Sequence, residues 1–196
     1  MRTMIVMCVI LLASLAAVAG QNPSIRLYVS FDAEEYVPDF TPVLYTNFDA
    51  YICMDCLGTE GEPGGMSSMT FRTEITPGFT LVTSFSPMVY MPIPITWPDI
   101  DGDIMVAPYE CITDDPCPLV RISMFYIGGS GCIQIVDHHD YPRWVVDCED
   151  NVDFYCVRSH GSVAGGDCPA GDVGCDCGAT PVDESSWGVL KALYRE

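Results

Sequence analysis

The chain has 196 residues, a length that suits one domain, and it carries 27 acidic residues against 8 basic ones, with 11 cysteines. A formal net charge of −19 excludes a nucleic-acid binder, which needs a basic face to neutralise phosphates. At 49% hydrophobic and 11% aromatic residues the chain is too apolar for a disordered acidic tail, and its cysteines suit an oxidising compartment.

Arg2, an apolar run over residues 5–18 and the small residues Ala17, Val18 and Ala19 form a secretory signal, with cleavage expected after Ala19 or Gly20. The run is shorter than the ~20 residues that span a bilayer. Residues 1–20 are therefore read as a signal peptide, and the remainder as an exported chain without a membrane span. Cleavage removes Cys8 and leaves ten cysteines: Cys53, Cys56, Cys111, Cys117, Cys132, Cys148, Cys156, Cys168, Cys175 and Cys177. An even number in an exported chain favours disulfides. Proximity suggests Cys111 with Cys117, Cys148 with Cys156, and Cys168 with Cys175 or Cys177. Cys53-Met54-Asp55-Cys56 has the spacing of a redox pair or half a zinc site. It follows a strand and runs into a loop rather than opening a helix, so structural bridging is the preferred reading.

Residues 21–160 read as strands. Ile25, Leu27, Val29 and Phe31 alternate with Arg26, Tyr28 and Ser30, the period of a half-buried strand. Phe79, Leu81, Thr83 and Phe85 repeat the pattern, as do Val120, Ile122, Met124 and Tyr126. Further strands are expected over 43–53, 68–75, 131–137, 144–147 and 153–157, separated by glycine- and proline-rich turns. About eight short strands with no helical period between them suggest an all-β antiparallel sandwich, immunoglobulin-like or jelly-roll-like and stapled by disulfides. A β-barrel is the competing arrangement. Pro87, Pro92, Pro94 and Pro98 mark an edge or an extended crossover, because proline cannot donate to a sheet ladder.

Three groups of residues are candidates for chemistry. Asp99, Asp101 and Asp103 alternate on a turn and can offer oxygen ligands to calcium. The spacing is not that of an EF-hand, since Ile104 stands where that loop needs glycine. His138, His139 and Asp140 offer ligands for a transition metal if they lie on a turn rather than a strand. Tyr90, Trp97 and Tyr109 are aromatic candidates for contact with a carbohydrate or peptide. A Gly-x-Ser-x-Gly elbow, a P-loop and a dinucleotide fingerprint are all missing from the sequence.

Residues 161–179 hold cysteine, glycine and aspartate in a polar stretch, read as a disulfide-pinned loop. Residues 180–196 suggest a short C-terminal helix. Thr180 and Pro181 suit its start, Trp187, Leu190 and Leu193 its apolar side, and Lys191 and Arg195 its last turn. Such a tail either docks on the sandwich or serves as a sorting tag.

The segments YCVRSHG at 155–161 and VDESSWGVLKALYR at 182–195 resemble those of a loosely defined group of secreted bacterial proteins, cysteine-bearing and β-rich, with a terminal S-W-G-x-x-K-A-L-Y-R tail. That resemblance implies export and implies no activity. The strand order is similar in outline to cohesin-like and immunoglobulin-like sandwiches. The combined expectation is a secreted, non-enzymatic extracellular or cell-surface interaction module. Its partner would be a protein or a carbohydrate, and calcium is its candidate cofactor. The alternative is an exported hydrolase or metal-dependent enzyme built on His138, His139 and Asp140.

Overall fold

A computed structural model describes residues 25–57, 65–89, 102–150, 152–173 and 175. They form a two-sheet β-sandwich. The strands are β1 (Arg26–Ser30), β2 (Asp39–Phe40), β3 (Asn47–Asp55), β4 (Ser68–Ile75), β5 (Thr80–Pro87), β6 (Asp103–Val106), β7 (Cys117–Tyr126), β8 (Gly131–Val136), β9 (Trp144–Val146), β10 (Val152–Phe154), β11 (Cys156–Ser159) and β12 (Gly161–Val163). One sheet has the order β11-β1-β3-β7-β5. The other runs β10-β9-β4-β8-β12-β2, with β6 on the free side of β4.

The period-2 residues of the sequence build the core. Ile25, Leu27 and Val29 of the β1 region and Val120, Ile122 and Met124 of β7 are fully buried, and they meet Met69, Phe71, Ile104, Ile133 and Ile135 from the other sheet. Each such side chain contributes roughly 1.5–3 kcal/mol of burial.

Several expectations are corrected. The sandwich is not wholly antiparallel: β1 with β11, and β12 with β2, are parallel pairs. The stretch 153–157 is two strands, because the chain crosses between sheets at Tyr155. Strand β3 begins at Asn47 rather than at Val43, since a tight turn occupies residues 43–46. A bulge between Val82 and Ser84 reverses the parity of β5, so Val82 packs on the core and Leu81 faces solvent. Strand β12 extends the sandwich past residue 160 into the stretch read as loop. The signal peptide and the C-terminal helix lie outside the described residues, as do Tyr90, Trp97, Asp99, Asp101 and Cys177.

The cysteine pairs are also corrected. The bridges are Cys111–Cys148, Cys132–Cys168 and Cys156–Cys175, and Cys56 is disulfide-bonded as well. Neighbours in sequence do not pair because the fold separates them: Cys148 follows β9 of one sheet, whereas Cys156 opens β11 of the other. Cys117 turns into the core at the start of β7, whereas Cys111 sits exposed in the loop beside Cys148. The bridges close 37, 36 and 19 residues. On a chain-entropy account each is worth ~3–4 kcal/mol, more than the shorter loops expected from sequence. The polar stretch after β12 is tied back to the sandwich through Cys168 and Cys175, each bonded to a strand cysteine rather than to the other.

Cys53 and Cys117 are free and buried, not bridged. In register Cys53 opposes Pro118 and Cys117 opposes Met54, so the two thiols face opposite sides of the sheet. Burial pushes Cys53 up to about 12, with Cys117 adding to the rise, and pushes Cys117 up to about 11, with Asp114 and Asp115 adding. Both stay protonated and inert at neutral pH. Cys53 is therefore not half of a redox pair with Cys56.

Candidate docking face

The outer face of the seven-stranded sheet carries an apolar band. Alternation along the strands turns Met105 of β6, Thr70 of β4, Trp144 and Val146 of β9, and Val152 and Phe154 of β10 to the same side. Register then lines them up. Thr70 opposes Met105, Trp144 opposes Phe154 and Val146 opposes Val152. Met105 is 50% exposed and Phe154 59% exposed. Met105, Thr70, Tyr141, Trp144 and Val146 line a shallow pocket of about 250 Å³.

Local bonding holds the aromatic groups in place. The Thr70 hydroxyl donates to the Tyr141 carbonyl at 2.8 Å. The Tyr141 and Trp144 rings lie 5.1 Å apart, and the His138 ring packs 5.5 Å from Tyr141. His138 Nδ1 accepts the backbone N–H groups of Asp140 and Tyr141 at 3.1 and 3.2 Å. That imidazole closes the turn that presents Tyr141. The Cys111–Cys148 bridge ties the loop after β9 to the loop after β6.

A polar group borders the band. Asp103 Oδ1 accepts the His139 backbone N–H at 3.1 Å, and Oδ2 lies 2.9 Å from His139 Nδ1. Arg72 lies 3.2 Å from His139 Nε2 and pairs with Glu74. Partial desolvation pushes the Asp103 carboxyl up, and the two His139 bonds with the nearby imidazoles more than offset this, so it titrates below the usual range. Asp140, Glu149 and Asp150 are exposed around the rest of the rim.

The sequence placed Asp103 and the two histidines in separate candidate sites. The structure brings them together, and it leaves the Asp140 side chain in solvent. Among the described residues no three His, Cys, Asp or Glu side chains converge as metal ligands. Tyr109 is exposed and borders a separate pocket of about 750 Å³ with Glu110, Thr113 and Cys117. Sequence reasoning missed Met105, Tyr141, Trp144, Val152 and Phe154. The available signal was apolar residues at alternate positions on strands whose other side was already buried.

Solved structures share the fold. A type I cohesin from Clostridium thermocellum, in a cohesin–dockerin complex, superposes with a TM-score of 0.52 at 11% identity, covering 71% of this chain and 97% of that one. The seventh ScaB type I cohesin from Pseudobacteroides cellulosolvens gives 0.51 at 9% identity over 74% and 94%. The sixth cohesin of scaffoldin B from Acetivibrio cellulolyticus, in complex with a dockerin, gives 0.51 at 12% over 71% and 97%. No protein-family model and no curated protein matches the chain. The chain has a cohesin-like sandwich fold.

Proposed function

We propose that this protein is a secreted, non-enzymatic interaction module that binds a protein partner through the aromatic face of the seven-stranded sheet. The band from Met105 to Phe154 carries the reading. The free side of an antiparallel sheet is ordinarily polar. A contiguous apolar patch with a polar rim is the usual mark of a protein docking site. The acidic rim favours a partner with Lys or Arg around an apolar centre. Modules of the same fold, from Clostridium thermocellum and Acetivibrio cellulolyticus, are found in complex with dockerins. Export rests on the signal-like N-terminus, and it places the partner outside the cell.

A photo-cross-linking residue at Met105, in the exported protein, tests the reading. The expected result is a discrete protein adduct that disappears when Tyr141→Ala and Trp144→Ala are added. An adduct that persists in the double variant overturns the reading. So does binding to a glycan array that depends on Trp144.

A further inference from the structure

Three turns meet at one end of the sandwich: residues 41–46 before β3, 76–79 between β4 and β5, and 127–130 between β7 and β8. Strand register sets them side by side, with Asn47 opposite Phe125, Thr80 opposite Tyr126, and Ile75 opposite Ile133. Backbone bonds lock the first turn to its neighbour. Tyr45 N–H donates to the Tyr126 carbonyl and Tyr126 N–H to the Thr46 carbonyl, both at 2.9 Å. The Thr46 N–H and hydroxyl both donate to the Val43 carbonyl, at 3.2 and 2.7 Å. Tyr45 is held at φ 61°, a sparsely populated region for a bulky residue that costs roughly 1–3 kcal/mol.

This rigid turn presents apolar groups to water. Val43 is 71% exposed, Leu44 50% and Tyr45 67%, with Leu81 and Ile127 exposed beside them. The three turns themselves carry no charge, and exposed Asp39 and Asp167 border them where β2 and β12 end. Residues 40–48, 75–98 and 122–136 contain none of the 27 acidic or 8 basic residues.

We infer that this end is a self-association surface, on which a second copy of the chain packs about a two-fold axis. Two molecules of net charge −19 repel wherever their acidic surfaces meet. Through Val43, Leu44 and Tyr45 they meet with uncharged side chains, with the exposed carboxylates of Asp39 and Asp167 at the border of the contact. An isologous contact sets the same patch against itself, which suits a neutral apolar surface and penalises a charged one. A lipid surface is the other medium an apolar tip can enter, but among the described residues no Lys or Arg flanks the tip in sequence to hold headgroups. Such a dimer leaves the aromatic face of each copy open, so that the pair presents two docking faces to a multivalent partner.

Sedimentation of the exported protein in physiological salt, over a concentration series, tests the inference with two variants, Leu44→Asp and Leu44→Lys. The wild type is expected to dimerise, more so as salt rises. Each variant is expected to keep its melting temperature and to self-associate at least about tenfold more weakly, a change of ~1.4 kcal/mol. An equimolar mixture of the two variants is expected to dimerise again, because opposite charges then meet. A wild type that stays monomeric across the series overturns the inference. Dimers that persist in both variants do the same, as does a monomer that binds phosphatidylcholine vesicles through Leu44.

Discussion

His139 clamps Asp103 at two points, through its backbone N–H at 3.1 Å and its ring Nδ1 at 2.9 Å. The carboxylate belongs to an edge strand and the histidine to a turn 36 residues later, and together they border the aromatic face. Because the folded carboxyl titrates below its unfolded value, the clamp stabilises the fold above that unfolded value, and the contribution is lost as pH falls through the folded one. Carboxyl-carbon NMR is expected to show Asp103 titrating below the ordinary aspartate range. His139→Ala is expected to bring it upward, since the ring bond goes while the backbone bond stays. An unchanged titration in the variant counts against the ring contact.

Asp55 is the hinge of a different network. Arg26 grips it in a two-point fork, at 2.8 Å from Nε and 2.7 Å from Nη2, and Arg158 adds a third bond at 3.1 Å while lying over the Tyr36 ring. Side-chain exposures of 13% and 12% for Arg26 and Asp55 mean that solvent screens little of the fork. Asp55→Ala leaves two guanidinium groups without their carboxylate and is expected to cost about 3 kcal/mol in chemical denaturation. Arg158→Ala, at a more exposed position, is expected to cost about 1 kcal/mol. Equal losses from the two substitutions contradict this account.

Truncation is expected to cost the core far more than the docking face. Phe71→Ala removes a fully buried ring and is expected to destabilise by ~3–5 kcal/mol. Trp144→Ala and Tyr141→Ala truncate partly exposed rings and are expected to cost about 1 kcal/mol or less. Thermal melts of the three variants check the contrast. A large loss from Trp144→Ala assigns that ring to packing rather than to docking.

Free thiols provide a chemical test of the cysteine pattern. Cys53 and Cys117 are buried and held protonated, so iodoacetamide is expected to leave both unmodified in the native protein. In denaturant without reductant, peptide mapping is expected to find label at Cys53 and Cys117 but not at Cys111, Cys132, Cys148, Cys156, Cys168 or Cys175. Label at any of those six breaks the assignment.

His160 links the two sheets, and its Nδ1 accepts the Ile135 backbone N–H at 3.2 Å. Burial lowers its pKa, and Asp172, which raises it, and Arg143, which lowers it, act more weakly. The unfolded chain takes up a proton near pH ~6.5 while the folded chain resists, so stability falls as pH drops below that value. The loss is complete once pH is below the folded value. Stability measured from about pH 7.5 down to about pH 5 is expected to show this slope in the wild type and a flatter one in His160→Asn. Identical slopes exclude His160 as their source.

The alternation of Ile25, Leu27 and Val29, and of Val120, Ile122 and Met124, is enough by itself to set the strands, the buried sides and the all-β class. Side-chain direction along a strand is local, so period carries that information in the sequence. Parity fails where a bulge adds a residue, as at Thr83, because the extra residue is fixed by the partner strand rather than by β5 itself. Cysteine pairing and the docking face were decided only by tertiary structure. Cys111 reaches Cys148 across 37 residues, and Thr70, Met105, Trp144 and Phe154 become neighbours only when four strands from separate parts of the chain pair in one sheet. The excess of acid was plain from composition. Its placement was not: folding gathers the uncharged turns 41–46, 76–79 and 127–130 at one end, because strand register brings them together whatever their distance along the chain.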